Sequence, residues 1–443
     1  MIGPRDLADC FEGVIPSILA TSAADGTPNI AYLSHVVRVD DEHVALSNQF
    51  FAKTAANIRA NPQASLLLVS ARHGGQFLLE LSWVSAVDRG PLFDQIADQL
   101  RASSAQVGMA GVMRLKLVDV FRVDAMRAVA SPAPLPGPTA PRPQPEPVRL
   151  GEALKAIGAQ GDTEGVLEAA LSACASLGFE HAIVLLSDAA RRLLNTVVSR
   201  GYERSGIGSE VAFDDGLIGT AAATGRPFKI NDLSRIRRLG AAIDPAPPAD
   251  ENRTRTIPLP CLPDALSQLA VPLIAQRAVR GVLFVESRER LAFDSAHEAA
   301  LDMIAAQCAL ALALCEALAR DPRPTTSPPP MARAAGRVVH ITHHRVDDSV
   351  FINNAYVIKG VAGRLLAFMA ERHINEGREE FTNREIRLDP ALKLPELRDN
   401  LETRLLLLRR RLDERALPVR LIHAGRGRVR LAVDGQAVLV TAA

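Results

Sequence analysis

The 443-residue sequence lacks the patterns that build disulfide frameworks, zinc sites and membrane spans. Its five cysteines are far apart and include no CxxC pair, which argues against a zinc ribbon and against a disulfide framework. It has no run of about eighteen uncharged apolar residues, and its first residues, MIGPRDLADC, lack the basic-then-apolar layout of a signal peptide. We therefore expect a cytoplasmic protein with no membrane span and no metal site.

The net charge of +1 hides an uneven distribution along the chain. From residue 337 onward there are 19 basic and 14 acidic residues, whereas the preceding part has 32 basic and 36 acidic ones. The C-terminal part is therefore the one that favours an anionic partner.

Two proline-rich stretches, at 131–147 and 321–336, divide the chain. Dense prolines remove backbone donors and favour extended linkers over domain interior. A chain of 443 residues also exceeds the size at which a single core keeps growing. The sequence thus predicts a multidomain protein with domains at 1–130, 148–320 and 337–443.

The first domain has short apolar or alternating runs separated by turn sequences such as Asp25-Gly26, which predicts an antiparallel β barrel. Within it, SNQFFAKTAANIRANP predicts a short helix that begins near Lys53 and Thr54 and ends before Pro62. The first turn of this helix would offer N–H groups, a hydroxyl and a lysine to a phosphate monoester. On spacing alone, however, Lys53 is better explained as a solvated residue at a helix end.

This segment resembles the FMN-binding split barrels of the pyridoxamine 5'-phosphate oxidase type, through Lys53, Asn57 and Asn61-Pro62, and the resemblance covers about residues 7–127. It implies FMN as cofactor, with the phosphate at the helix start and the ring along the preceding strands. Carried over by position, the cofactor-binding residues are Tyr32, Leu33 and Ser34 for the ring, and Ser47, Asn48, Lys53 and Thr54 for the phosphate and ribityl chain. Ala52 stands where the oxidases have an arginine, which argues against pyridoxamine phosphate oxidation, and no catalytic residue can be assigned. The alternative is a barrel retained only for dimerisation.

The second domain changes to alternating helix and strand patterns, and ends in a long helix with capping-box spacing at Ser295 and Glu298. With GLIG at 216–219, TGRP at 224–227 and the hairpin sequence AVPLIAQRAVRGVLFVES, it resembles a GAF domain over about residues 150–319. The resemblance implies an α/β sensor that binds an unidentified small ligand or pairs with a second copy through its terminal helices. Cys261, in a predicted loop, is the one candidate for a redox-sensitive thiol.

The third domain begins with a hairpin signal at Asn353-Asn354, continues with three helical segments, and ends in two short strands. Thr382 and Glu385 have capping-box spacing at the start of the second helix. The layout, with LRRRL at 408–412 and Arg426-Gly427, resembles the α+β winged-helix DNA-binding domains of bacterial response regulators over about residues 345–436.

The third helix of this domain, NLETRLLLLRRRLDE, has leucines on two sides. A projection at about 100° per residue places Leu401, Leu405, Leu408 and Leu412 on one core-facing stripe. The candidate DNA-binding residues are Arg404, Arg410, Arg411, Arg426 and Arg428. Leu406 and Leu407 are expected to be exposed, which suits base readout poorly and leaves open that the helix binds a protein or a partner subunit.

These features predict a cytoplasmic homodimer that senses a flavin or a small ligand and regulates transcription through duplex DNA bound by residues 337–443. The alternative is an FMN-dependent oxidoreductase in which the GAF domain is regulatory and the winged helix docks a protein. The sequence leaves undecided whether the chain is an enzyme. It also does not identify the GAF ligand, the electron partner of the flavin, or the DNA target.

Overall fold

A computed structural model describes residues 3–33, 35–49, 52–106, 114–130, 143–234, 251–319, 338–392, 394, 401–425 and 427–442. For 102–106 and 319 only the backbone is described. Of the predicted site residues, Ser34 and Arg426 lie outside the described residues, as do almost all of the two proline-rich stretches.

The first domain is a seven-stranded antiparallel sheet with the strand order β2-β1-β5-β6-β7-β4-β3. A 3₁₀ helix, Pro4–Phe11, precedes it. The strands are β1 (Ser17–Ser22), β2 (Pro28–Leu33), β3 (Val36–Arg38), β4 (His43–Asn48), β5 (Gln63–Val69), β6 (Gln76–Val87) and β7 (Leu117–Val129). The helices are α1 (Lys53–Ala60) and α2 (Pro91–Gln106).

The two edge strands of this sheet share one apolar core. Leu33 of β2 and Val36 of β3, which belong to opposite edge strands, bury their side chains in the same apolar cluster as Leu79 of β6 and Phe121 of β7. The sheet must therefore wrap around that cluster, as the sequence predicts. Helix α1 also agrees with its prediction, since it begins at Lys53 and ends just before Asn61-Pro62.

The second domain has a central six-stranded antiparallel sheet with the order β10-β9-β8-β13-β12-β11. Its strands are β8 (His181–Asp188), β9 (Leu193–Arg200), β10 (Glu210–Ala212), β11 (Phe228–Ile230), β12 (Ser267–Ala275) and β13 (Ala278–Ser287). Its helices are α3 (Pro147–Gly158), α4 (Thr163–Ser176), α5 (Gly216–Thr224), α6 (Glu251–Thr254) and α7 (Ser295–Ala319).

Two apolar clusters lie on the two faces of this sheet. Helices α3, α4 and α7 share the larger cluster with alternate residues of β8, β12 and β13, and α5 packs on the opposite face. The predicted capping role of Ser295 is wrong by one residue, because the Asp294 carboxylate accepts from the N–H groups of Ala296 (3.0 Å) and His297 (3.1 Å). Glu298 is instead within 3.3 Å of the Lys229 ammonium.

Helix α7, over Ser295–Leu318, is the one described helix whose length and composition would allow it to cross a membrane. Core helices of soluble proteins pass the same test. In this fold Ile304, Cys308 and Leu312 of α7 are buried in the larger cluster of the second domain.

The third domain contains a four-stranded sheet, β16-β15-β14-β20, and a three-stranded sheet, β17-β19-β18. The strands are β14 (Val338–His344), β15 (Ser349–Ile352), β16 (Ala355–Ile358), β17 (Glu380–Thr382), β18 (Val419–His423), β19 (Arg428–Val433) and β20 (Gln436–Ala442). The helices are α8 (Gly360–Glu376), α9 (Asn383–Leu388) and α10 (Leu401–Glu414), with a short 3₁₀ turn at Pro390–Leu392.

Three local features of this domain agree with the sequence predictions. Asn353 and Asn354 both have positive φ in the β15–β16 turn, which these residues tolerate better than most. The capping box predicted at Thr382 and Glu385 is present at the start of α9. The stripe of Leu401, Leu405, Leu408 and Leu412 is fully buried in the domain core.

Candidate functional site

The start of α1 in the first domain has the features expected of a phosphate site. Ala52 occupies the N-cap and offers no side-chain cap, so the first-turn N–H groups remain available to an anion. Lys53 is exposed beside them, whereas Thr54 is buried and its Oγ1 accepts from Asn29 Nδ2 on β2 at 3.0 Å. The residues present therefore fit a phosphate held by backbone donors and by Lys53.

Strand β2 lies next to this helix start and presents an open apolar surface. Tyr32 is 74% exposed and Ile30 is 67% exposed, while Leu33 points to the other side and is 2% exposed. Tyr32 is thus open to a ligand, whereas Leu33 belongs to the core. The β2 side chain that contacts the start of α1 is Asn29, which alternates with Tyr32 along the strand.

Ser47 and Asn48, predicted to hold the phosphate and ribityl chain, lie at the end of β4 with buried side chains. Ser47 Oγ donates to the carbonyl of His35 (3.2 Å), and Asn48 Nδ2 donates to Asp119 Oδ2 (3.0 Å). In this geometry both side chains hold strands together, so they fit a supporting role beneath the site better than direct contact with a ligand.

Two polar residues near the site, the partly buried Asn29 and the buried Asp119, are not predicted from the sequence. Asn29 fixes the Thr54 hydroxyl, and Asp119 accepts hydrogen bonds from Asn48 and from Trp83 Nε1 (3.2 Å). Their partners are 25 and up to 71 residues away, so no local motif marks them. Burial also lowers the pKa of His35 to about 4, which keeps its imidazole neutral near neutral pH.

A second candidate region is α10, whose outer side packs against the second domain. Leu406 and Leu407 are 7% and 6% exposed, so the prediction that they are exposed is wrong. Leu406 belongs to the large apolar cluster of the second domain, and Leu407 to the core of the third. The second leucine face is explained by a domain interface.

The arginines of α10 are paired with acidic residues of the second domain. Arg404 lies 3.4 Å from Asp188, and Arg410 Nη2 lies 2.7 Å from Glu168 and 3.1 Å from Glu164, which also pairs with Arg409.

Arg411 is the most buried of these arginines, with a side chain only 3% exposed. It contacts Glu251 (2.6 Å) and Glu414 (3.0 Å), and its Nε donates to the carbonyl of Val357 at 3.0 Å. The expectation that Arg404, Arg410 and Arg411 present free charges to DNA is therefore not met in this arrangement, because carboxylates already occupy them.

The remaining predicted DNA contact in the described chain, Arg428, begins β19 and is partly exposed.

Comparison with known proteins assigns two of the three domains. Residues 160–313 match the family model of the GAF domain. Residues 5–129 match that of the pyridoxamine 5'-phosphate oxidase family. The chain thus contains a barrel-like domain of the FMN-binding type, followed by a GAF sensor domain.

Solved structures similar to these parts include an FMN-binding protein from Syntrophomonas wolfei, at 18% identity over 28% of this chain and 85% of that chain, with a TM-score of 0.25. The GAF domain of a phosphoenolpyruvate-protein phosphotransferase from Acinetobacter is 19% identical over 39% of this chain and 94% of that chain, with a TM-score of 0.32. Free methionine-R-sulfoxide reductase from Neisseria meningitidis is 18% identical over 38% of this chain and 89% of that chain, with a TM-score of 0.30. No curated protein matches the chain.

Proposed function

We propose that the chain is a cytoplasmic sensor and transcriptional regulator that responds to a flavin or a small ligand. Its GAF and FMN-type domains receive the signal, and residues 337–443 form a winged helix that binds duplex DNA. Support for the winged helix comes from the order of elements in the third domain. The strands β14, β15 and β16 come first, the helices α8, α9 and α10 follow, and the hairpin β18–β19 comes after them.

The observation that carries this proposal is the docking of α10 on the GAF domain. Arg404, Arg409 and Arg410 pair with carboxylates of β8 and α4, where an output helix would meet phosphates. A shift of the GAF domain changes these pairs directly, so sensing and output share the same contacts. We infer that the docked arrangement is the DNA-free state and that signalling releases α10.

Cavities on both sides of α10 are consistent with such a release. A cavity of about 320 Å³ lies on one side and another of about 130 Å³ on the other. An interface that packs incompletely loses fewer contacts when it separates than a close-packed core would.

FMN is the proposed ligand of the first domain, with its phosphate at the start of α1 beside Lys53 and its ring near Tyr32. When bound, FMN supplies a redox-active ring that accepts and donates electrons. Lys53 and the first-turn N–H groups would hold the phosphate, while Asn29 keeps the Thr54 hydroxyl in place beneath it.

A homodimer is part of the proposal, and support comes from an apolar stripe on α7. Met303, Leu310, Leu314 and Leu318 are 47%, 55%, 58% and 42% exposed. They recur at helical spacing along one side of a long helix, the pattern by which helices pair between subunits.

The DNA half is tested by weakening the docked pairs. The double variant Glu164→Gln/Glu168→Gln removes the partners of Arg409 and Arg410, and we expect its affinity for mixed-sequence duplex DNA to rise about tenfold or more. The salt dependence should steepen by about 0.9 in log–log slope for each arginine that gains a phosphate. Glu152→Gln, an exposed site on the neighbouring helix α3, is the matched control and should behave as the wild type.

If neither the wild type nor the double variant binds duplex DNA in a salt-dependent manner, the proposed DNA-binding function of residues 337–443 is wrong. The visible spectrum of the purified protein tests the flavin half, since a protein that is colourless and cannot be reconstituted with FMN has no flavin site. Bound FMN that turns over a reduced nicotinamide would instead favour an FMN-dependent oxidoreductase.

A further inference from the structure

A segment of the GAF domain, residues 251–262, contacts the third domain at its N-terminal end. We call this segment the strap, and it consists of α6 and the irregular stretch that follows. Glu251 lies 2.6 Å from Arg411, and Asn252 Oδ1 accepts from the backbone N–H of Tyr356 at 2.8 Å. Both partners belong to the third domain, so the strap is docked beside the C-terminal half of α10.

The strap also forms an ion pair with the third domain. Arg255 Nη1 lies 3.2 Å from each oxygen of the Asp347 carboxylate, and its guanidinium lies 5.6 Å from the centre of the Phe351 ring. The side chains of Arg255 and Asp347 are 34% and 33% exposed, so water and salt screen this pair less than a fully exposed one. The strap therefore contributes a charged pair as well as hydrogen bonds to the docked arrangement.

The loop between β9 and β10, residues 201–209, holds the third domain as well. Ile207 is buried in the apolar core of that domain. Ser205 Oγ donates to Glu414 of α10 at 2.5 Å. Two separate segments of the GAF domain thus meet the third domain at the same place.

The strap packs closely on this loop. A Cβ at Gly206 would overlap Pro260, and one at Gly208 would lie 2.8 Å from Ile257 Cδ1, so only glycine allows this approach. Pro258 and Pro260 fix φ at alternate positions, which keeps this part of the strap extended and stiff. A displacement at one end of the strap is therefore passed to the loop and to the other end.

One carboxyl group anchors both segments to the GAF sheet. Glu286 of β13 is 3% exposed, and its Oε2 accepts from the backbone N–H of Leu262 in the strap (2.9 Å) and from the hydroxyl of Tyr202 in the loop (3.1 Å). Its Oε1 accepts from Gln268 Nε2 at 2.7 Å. Burial, together with Glu286, raises the pKa of Tyr202, so the hydroxyl keeps its proton and can donate. Glu286 thus joins the strap and the loop at the end away from the third domain.

We propose that the strap and the 201–209 loop form a regulatory link that keeps α10 docked, with Glu286 as its anchor on the GAF sheet. Because the strap contacts the third domain only in the docked arrangement, its contacts shift the equilibrium towards docking. A signal that loosens the strap at Glu286 also loosens Glu251 and Arg255, and so releases α10. This regulation deepens the proposed function, and only its consequence for DNA binding rests on that function.

Hydrogen exchange of the full chain, followed by mass spectrometry, measures the docking of α10. Arg255→Gln removes the ion pair with Asp347, and we expect peptides from α10 to exchange about threefold to tenfold faster, as for loss of a partly shielded charged contact. Peptides from β8 and β12 in the GAF core should exchange as in the wild type. Arg253→Gln is the matched control, because Arg253 lies on the same strap with an exposed side chain, and it should behave as the wild type.

Tyr202→Phe tests the anchor. It removes one hydroxyl and keeps the ring, which packs within the GAF domain. We expect it to accelerate exchange in α10 by about threefold or more. If both substitutions act through the same link, releasing one end reduces the effect of releasing the other. The double variant should then accelerate exchange in α10 by less than the product of the two single effects.

Wild-type exchange of α10 in Tyr202→Phe, or a double variant whose acceleration equals that product, would show that the two ends act independently and overturns the proposal. Equal acceleration of β8, β12 and α10 also overturns it, because general destabilisation then explains the result. If exchange in α10 follows the expected pattern but the affinity for duplex DNA is unchanged in every variant, the proposed output is wrong and the role of the strap remains.

Discussion

Arg411 and Arg410 are adjacent arginines on α10, and we predict that their removal has very different effects on stability. Arg411 has a side chain that is 3% exposed and contacts Glu251, Glu414 and the carbonyl of Val357. Arg411→Met would leave these acceptors without their shared donor in a buried place. Breaking a buried pair from one side costs about 3–5 kcal/mol.

Arg410 also contacts two carboxylates, but their side chains are 41% and 55% exposed, so water solvates them when the arginine is removed. Exposed pairs of this kind contribute about 0–1 kcal/mol. Arg410→Met should therefore reduce the free energy of unfolding by at most about 1 kcal/mol.

Urea unfolding followed by far-ultraviolet circular dichroism measures both variants. Trp83 is the only tryptophan and lies in the barrel, so its fluorescence gives an internal reference for the first domain. We expect Arg411→Met to lower the circular dichroism midpoint clearly and the fluorescence midpoint little. Equal midpoints for the two variants would show that burial does not decide the strength of these pairs, and the reasoning would be wrong.

Three further predictions concern the first two domains. Because the pKa of His35 falls from 6.5 to about 4 by burial, the unfolded chain takes up a proton on His35 before the folded one does. The contribution of neutral His35 to the free energy of unfolding should thus be fully present above pH 6.5 and should fall by up to about 3 kcal/mol towards pH 4. This loss should be absent from His35→Gln when unfolding is measured as a function of acid pH. Lys53→Gln should weaken FMN binding about tenfold or more through the lost charge-assisted contact, whereas Arg59→Gln at the other end of α1 should not; equal fluorescence titrations of the two variants would contradict the phosphate site. Partial burial and Glu286 raise the pKa of Cys261, so this exposed thiol should react with iodoacetamide more slowly than free cysteine at neutral pH, and rapid labelling would restore it as a redox candidate.

Local features of the fold are predicted well because their causes lie within a few residues. The left-handed turn at Asn353-Asn354 and the capping box at Thr382 and Glu385 are each set by neighbouring side chains. The cap of α7 is misassigned to Ser295 because Asp294, Ser295 and the residues after them offer more than one acceptable spacing, and only the geometry selects Asp294.

The prediction from the sequence is wrong for the second leucine face of α10, which was expected to be exposed and is buried. Helical periodicity separates two leucine faces but says nothing about what covers the second one. Leu406 is covered by the GAF domain, and Arg410 meets Glu164 and Glu168, which precede it by 246 and 242 residues. Contacts at such separations depend on how domains dock, which no local pattern encodes.

The candidate flavin site also combines a feature set by neighbouring residues with features set by long-range contacts. The start of α1 at Lys53 is readable from the sequence, but burial of Ser47 and Asn48 follows from β4 pairing with β7 in the wrapped sheet. The DNA contacts, the homodimer and FMN binding remain predictions.

The parallel pairing of β14 with β20 gives the third domain a particular response to mechanical load. The chain enters β14 at Val338 from the linker side, and β20 ends at Ala442 beside His344, at the opposite end of the same ladder. A force applied between the linker and Ala442 pulls the two strands lengthwise past each other. All the hydrogen bonds of the ladder then share the load and must break together, so the domain should resist tension along this axis far better than it would if its terminal strands could be unzipped one bond at a time.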